Sequence, residues 1–326
     1  MTPIYPWHEA QWQAVQQSFN NGRLPHALLL VGLPGLGKLA FSQALTASLV
    51  CQKREAGGVA CGHCQGCQLM AAGSHPDIHT VTPEDTGKPI KVDQIRHFSE
   101  IMSKKAQMSG YRVATIHPAE SMNTNASNAL LKTLEEPGEN TLIMLVTSQP
   151  SLLTATIRSR CQVIEFIAPD TKTCLEWLLQ NGIDDTLEAQ ALLRFSRNAP
   201  LAALENHHDH TLESRSEFIE EYLDLKTGVQ NPIVMADKWV KRQPQLCIRW
   251  MMYWVMDLIR IASTGSDKGV VNAELVHHLH PSAKQLNLAN LYVYLDKLQS
   301  SLGLLSSQVN KQMMLEDLFI TWIKTR

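Results

Sequence analysis

The sequence predicts an α/β domain built on a parallel sheet with a four-cysteine module inserted in it, then a small helical domain and a larger all-helical one. An apolar run, a glycine-rich turn and a helical pattern follow one another over residues 27–50. Apolar strand patterns then alternate with helical patterns to about residue 166, and only helical patterns follow Pro169. We therefore expect domains at 1–166, 167–207 and 208–326.

Composition and charge exclude several classes of protein. The 326 residues carry a formal net charge of −2, which excludes a strongly basic nucleic-acid binder, because such affinity rests on many Lys and Arg contacts to phosphates. The first residues lack the basic start and apolar core of a secretion signal. The most apolar helical window, 245–262, contains three charged residues, too many for a lipid-facing span. We expect a soluble, cytoplasmic protein with reduced cysteines.

The segment from Ala27 to Val50 has the layout of a phosphate-binding loop. A strand over Ala27–Val31 precedes the pattern G-x-x-x-x-G-K, and a helix follows. Backbone N–H groups of such a loop surround phosphate oxygens, so the sequence predicts a nucleotide site on Gly32, Gly35, Gly37 and Lys38. Leu39 stands where Ser or Thr normally places a hydroxyl on magnesium, and leucine ligates no metal.

Four closely spaced cysteines follow this helix in the pattern C-x9-C-x2-C-x2-C. Four thiolates suit tetrahedral zinc, so we predict a structural zinc site on Cys51, Cys61, Cys64 and Cys67. The alternatives are four unconnected thiols or a redox pair, and a redox pair needs only two cysteines. Because the cysteines fill the coordination shell, His63 is expected on the solvent side or behind the ligands.

The rest of the α/β domain is predicted from alternating patterns. Residues 8–19 read as a helix before the first strand. The later elements are, in order, a short strand Ile78–Val81, a helix at 91–104, a strand Arg112–Ile116, a helix Asn125–Glu136, and strands Thr141–Thr147 and Val163–Phe166. The long apolar run of residues 141–147 indicates a strand covered on both faces, so a doubly wound sheet is expected.

The strand at 112–116 lacks the acids that a nucleotide hydrolase needs at its end. A hydrolase places there a carboxylate that holds magnesium through water and a glutamate that polarises the attacking water. This chain has His117 and Pro118 instead. Glu120 is either a substitute base or a solvated carboxylate at a helix start. Thr147 either touches a phosphate or caps the next turn.

The remaining residues are predicted to be helical. The histidines of HHDH, 207–210, are either metal ligands or, as we expect, part of an exposed linker. Two apolar stripes at helical spacing predict core in the last domain. They are Cys247, Met251, Trp254, Leu258 and Ile261, and then Leu291, Leu295, Leu298, Leu302 and Leu305.

Three stretches together resemble the clamp-loader branch of the AAA+ ATPases. They are CGHCQGC after a phosphate loop, NALLKTLEEP over Asn128–Pro137, and TIRSRC over Thr156–Cys161. The resemblance spans the whole chain in domain order and implies an AAA+ α/β domain, a helical lid and a helical collar used for oligomerisation.

The resemblance also implies a subunit without ATPase activity of its own. A gamma- or tau-type motor of this family carries Ser or Thr after the lysine, Asp-Glu after the strand and a phosphate-sensing arginine in the lid. This chain has Leu39, His117-Pro118 and, within NAPLAAL, Leu201 at those places. ATP hydrolysis is therefore not expected, and ATP binding stays open.

One catalytic residue of the family is retained. In Ser-Arg-Cys proteins the arginine reaches into the ATP site of the neighbouring subunit, and here that residue is Arg160. The alternative is a surface arginine, and the role of Arg158 stays open. The implied partners are gamma or tau and delta subunits of bacterial DNA polymerase III and, through the assembled complex, the sliding clamp and primer–template DNA, without a membrane. Polymerase activity belongs to the holoenzyme.

Two other functions remain as alternatives. The chain is an active ATPase of the same fold if Lys38 binds nucleotide and Glu120 acts as base. It is a stand-alone zinc-dependent DNA-binding module if the phosphate loop is incidental, although the charge of −2 argues against this.

Overall fold

A five-stranded parallel sheet organises the first part of the computed structural model, which describes residues 4–85, 87–108, 110–305 and 309–325. The strands are β1 (Ala27–Gly32), β2 (Ile78–Val81), β3 (Arg112–Ile116), β4 (Thr141–Thr147) and β5 (Gln162–Phe166). Their order across the sheet is β2-β3-β4-β1-β5, and every pair is parallel. The predicted fold class and all five predicted strands are confirmed, with ends that differ by at most one residue.

Helices cover both faces of this sheet. The helices of this part of the chain are α1 (Glu9–Asn20), α2 (Lys38–Val50), α3 (Gln65–Ala71), α4 (Val92–Met102), α5 (Thr124–Glu135), α6 (Ala155–Arg158), α7 (Thr171–Gln180), α8 (Thr186–Phe195) and α9 (Pro200–His208). Of these, α1, α2, α4, α5 and α6 contribute buried residues to the two cores of the sheet. Successive residues of a strand point to opposite faces. Leu28 and Leu30 therefore pack with Phe41 of α2, while Leu29 joins Leu130 of α5 in a second core. Burial on both faces explains the nearly continuous apolar sequences of β1 and β4.

The chain divides into two compact units, Met1–Leu204 and Glu205–Arg326. The finer division that the sequence predicts, with limits after residues 166 and 207, stays a prediction. The expectation of an exposed linker at 207–210 is wrong in its first half, because His207 and His208 form the last turn of α9. Asp209 and His210 form the turn that follows.

The second unit is helical in its described residues. Its helices are α10 (Thr211–Thr227), α11 (Pro232–Val240), α12 (Pro244–Thr264), α13 (Val276–Gln285), α14 (Leu288–Leu304) and α15 (Lys311–Lys324). All five residues of the first predicted stripe are buried in α12. In the second stripe, Leu291, Leu298 and Leu305 are buried, and Leu295 and Leu302 are half-buried. Within the described ranges, no helix is both long and apolar enough to cross a bilayer.

Candidate functional site

The phosphate loop lies at the carboxyl end of β1, where ligands bind in open α/β sheets. Glycine is required at three of its positions because a side chain would collide with neighbouring atoms or strain the backbone. A Cβ on Gly32 would lie 2.5 Å from the carbonyl oxygen of Phe166, and one on Gly35 would lie 2.4 Å from the Cβ of Ala202. Gly37 has φ 83° immediately before α2, a left-handed conformation that favours glycine. Glycine is therefore required at all three positions of the loop.

The loop lysine is held by its own chain. The Lys38 ammonium donates to the carbonyl oxygens of Gly32 and Leu33, each at 2.7 Å, and to Ser148 Oγ at 3.1 Å. These three bonds use all three of its donors. Burial lowers the pKa of Lys38 to about 8, although the nearby Glu120 carboxylate acts to raise it. A phosphate that entered this loop would have to displace bonds that the lysine already makes.

Two further segments form hydrogen bonds with the loop. The backbone N–H of Leu201, the residue at the place of the lid arginine, donates to the Gly35 carbonyl at 3.1 Å. On the other side, Trp7 Nε1 lies 3.0 Å and His8 Nε2 2.7 Å from the Leu36 carbonyl oxygen. The segment that contains Leu201 and the N-terminal segment therefore both contact the loop.

Leu39 and His117, the residues at the motif positions that normally hold magnesium, line one cavity of about 790 Å³ beside α2 and β3. Burial lowers the pKa of His117, so its imidazole is neutral near pH 7. An isobutyl group and a neutral imidazole thus occupy the places of the hydroxyl and the carboxylate that hold Mg²⁺ through oxygen.

Glu120 is nevertheless close to the loop. Its Oε1 accepts from the backbone N–H of Ser148 at 3.1 Å, and its buried Oε2 has no hydrogen-bond partner among the described residues. Glu120 therefore lies at a helix start, in the first turn of the short 3-10 helix Ala119–Ser121, but it is not a solvated carboxylate. Thr147 Oγ1 accepts a hydrogen bond from the backbone N–H of Gln149. Of the two roles considered for Thr147, this contact fits the capping of the next turn. Sequence reasoning missed Ser148, the residue that joins Lys38 to Glu120, because a serine after a strand is an ordinary turn signal.

The four cysteines form one cluster. Their sulfur atoms all lie within 4.8 Å of one another, with Cys51 Sγ 3.6 Å from Cys61 Sγ and 3.9 Å from Cys64 Sγ. Four bonds of about 2.3 Å in tetrahedral directions would place sulfurs about 3.8 Å apart, whereas a disulfide requires about 2.05 Å. The cluster can thus hold one metal ion.

Local structure positions these sulfurs. Cys51 follows the last residue of α2, Cys64 is the N-cap of α3, and Cys67 lies in its first turn. Burial acts to raise the pKa of Cys64, but hydrogen bonds from neighbouring backbone and thiol groups lower it to about 6. His63 is exposed, and its Nδ1 lies 2.8 Å from the Cys61 carbonyl oxygen, so it faces solvent as expected.

Arg160 follows α6, which packs in the same core as α5, whereas α2 at the end of the loop packs in the core on the opposite face of the sheet. Arg160 lies one residue beyond Ser159, the C-cap of α6, with 35% of its side chain exposed. Its Nη1 donates to the Thr156 carbonyl at 3.0 Å, and its Nη2 is 2.6 Å from Glu135 Oε1 at the end of α5. Arg158 is exposed.

Comparison with known proteins gives consistent matches over most of the chain. The family model described as DNA polymerase III, delta subunit, matches residues 7–170, and the model of its C-terminal part matches residues 209–324. DNA polymerase III subunit delta′ of Pseudomonas aeruginosa is 35% identical over 326 residues, which is 99% of this chain and 98% of that protein. The Escherichia coli protein of the same description is 32% identical over 97% of this chain and 94% of its own length. Among solved structures, a gamma subunit-related protein of DNA polymerase III from Thermotoga maritima has 15% identity and a TM-score of 0.44, over 98% of this chain and 99% of that chain.

Proposed function

Because the chain belongs to the delta′ subunit family of DNA polymerase III, we propose that it is a clamp-loader subunit that does not hydrolyse ATP and completes the ATP site of a neighbouring subunit. Its partners are gamma or tau and delta subunits in the cytoplasm. Through the assembled complex it helps to place the sliding clamp on primer–template DNA.

The absence of hydrolysis is supported by the environment of Lys38. Its ammonium is bonded to two loop carbonyls and to Ser148, so the group that would bind a γ-phosphate already has three partners. Leu39 and His117 supply no oxygen ligand for magnesium. Losing the metal ligand, the water activator and the lid arginine together removes most of the electrostatic stabilisation that phosphoryl transfer needs.

The role in the neighbouring site is carried by Arg160. It is the central residue of Ser-Arg-Cys, and it lies at the surface with a third of its side chain exposed. A planar, permanently charged guanidinium suits a phosphate that gains charge in the transition state. Arginine fingers contribute on the order of a thousandfold or more to the rate in other systems.

The metal of the cysteine cluster is zinc in this proposal. Sulfur separations of 3.6 and 3.9 Å fit four thiolates on one tetrahedral ion. When bound, zinc serves as a structural cross-link between the end of α2 and the start of α3. The domains at 167–207 and 208–326 act as lid and collar.

The second candidate is an active ATPase, and the unpartnered Oε2 of Glu120 favours it. Steady-state ATP hydrolysis by the isolated chain separates the two functions. We expect turnover at the level of the buffer blank for both the wild-type chain and Lys38→Ala. Turnover that is present in the wild type and disappears in both Lys38→Ala and Glu120→Gln would reject the non-hydrolysing function in favour of the ATPase.

A further inference from the structure

The ion pair between Arg160 and Glu135 joins two stretches that the sequence motifs treat as separate. Glu135 belongs to NALLKTLEEP and ends α5, whereas Arg160 belongs to TIRSRC and follows α6. In the structure Arg160 Nη2 lies 2.6 Å from Glu135 Oε1. A carboxylate and a guanidinium at this distance form a charge-assisted hydrogen bond.

The pair rests on a rigid base. Leu134, directly before Glu135, is 1% exposed, and Cys161, directly after Arg160, is 9% exposed. Both belong to one hydrophobic core, together with the fully buried Ile157 of α6. The backbones that carry the two charged side chains are therefore fixed relative to each other, and only the side chains themselves have freedom to lose.

The guanidinium is held at two points and still has donors to offer. Nη1 donates to the Thr156 carbonyl at 3.0 Å, so the carbonyl and the Glu135 carboxylate fix the orientation of the guanidinium plane. A guanidinium has five N–H donors. Within the described part of the chain these two bonds use two of them, which leaves three for a phosphate on another subunit.

We propose that Glu135 is a positioning residue for Arg160, which it holds ready for the phosphate of the neighbouring ATP site. This inference rests on the proposed role of Arg160 as a finger. Because Arg160 is already oriented before assembly, its side chain loses less conformational entropy on binding than a free arginine side chain would. Because the pair is partly exposed, the effect is modest, on the order of two- to fivefold in rate.

The experiment measures DNA-stimulated ATP hydrolysis by the reconstituted clamp loader, with sliding clamp and primed DNA present. Glu135→Gln and Glu135→Ala are compared with Glu136→Gln, which removes the same charge from the adjacent exposed position. We expect both Glu135 variants to lower kcat, Glu135→Ala by about two- to fivefold, with an unchanged KM for ATP. Glu136→Gln should leave kcat unchanged, and thermal unfolding and assembly should be the same for all variants.

A double variant separates this inference from the proposed function. If Glu135 acts through Arg160, Glu135→Ala should have no further effect in an Arg160→Ala background. If Arg160→Ala lowers turnover while Glu135→Ala leaves it unchanged, raises it or acts additively, the positioning role is rejected and the finger stands. If Arg160→Ala itself has no effect, the proposed finger fails, and the inference fails with it.

Discussion

At the scale of single residues, the ammonium group of Lys38 is hydrogen-bonded within its own chain. The lysine that would contact a nucleotide phosphate bridges Gly32, Leu33 and Ser148. It does so while 5% exposed, and burial lowers its pKa to about 8 against an ordinary value of 10.5. The phosphate-loop motif could be predicted from the sequence. The hydrogen bond between Lys38 and Ser148 could not, because the two residues are 110 positions apart.

This lysine should leave a signature in the pH dependence of stability. Between its folded pKa of about 8 and its unfolded value of 10.5, the unfolded chain holds one proton more than the folded chain. The contribution of Lys38 to the free energy of unfolding therefore rises with pH in that window, by at most about 1.4 kcal/mol per unit.

The measurement is chemical denaturation of wild type and Lys38→Met across this window. We expect the stability of the wild type relative to the variant to increase with pH. Lys53→Met, at an exposed lysine, is the control and should give a difference that does not change with pH. A wild-type advantage that is flat or decreases with pH would show that Lys38 is not a buried ammonium.

At the scale of elements, the sequence predicted the strands well, and the clearest signal was the apolar run of β4, which is buried along its whole length. The sequence could not predict why β3 begins with an arginine. Arg112 is 2% exposed, and its guanidinium donates to the carbonyls of Ile101 and Lys105 and pairs with the fully buried Asp77 at 3.5 Å. Asp77 in turn accepts two backbone N–H bonds, from Gln107 and Met108. Such a network depends on contacts between distant segments, which local patterns do not encode.

The cysteine cluster is the element whose stability we expect to depend most on a bound metal ion. A segment of this kind has little core of its own, so metal binding supplies folding free energy. We expect about one zinc ion per purified chain. We also expect chelation to lower the unfolding temperature.

Cys64→Ala should abolish zinc binding, and Cys174→Ala, at a buried cysteine outside the cluster, should retain it. Metal content by mass spectrometry and thermal unfolding check both expectations. A metal-free wild-type preparation of equal stability would contradict the assignment.

At the scale of the whole molecule, the chain combines a parallel sheet that carries a glycine-rich loop with a helical second unit. The fold class was predictable because phosphate loop, alternating strands and helical tail follow one another in sequence. The contacts that each motif residue makes were less predictable, because they join residues that are far apart in the sequence. Lys38 contacts Ser148, and Arg160 contacts Glu135. In the proposed function, the catalytic contribution of this chain lies at Arg160 rather than in its own loop.

The most direct test of this account is ATP turnover by the reconstituted complex that contains Arg160→Ala. The variant should fold and assemble as the wild type does, because Arg160 is partly exposed. We predict that DNA-stimulated ATP hydrolysis and clamp loading fall by at least tenfold, since arginine fingers elsewhere contribute about a thousandfold at a single site, while Arg158→Ala serves as the neighbouring comparison. Unchanged turnover in a fully assembled Arg160→Ala complex would contradict the central claim.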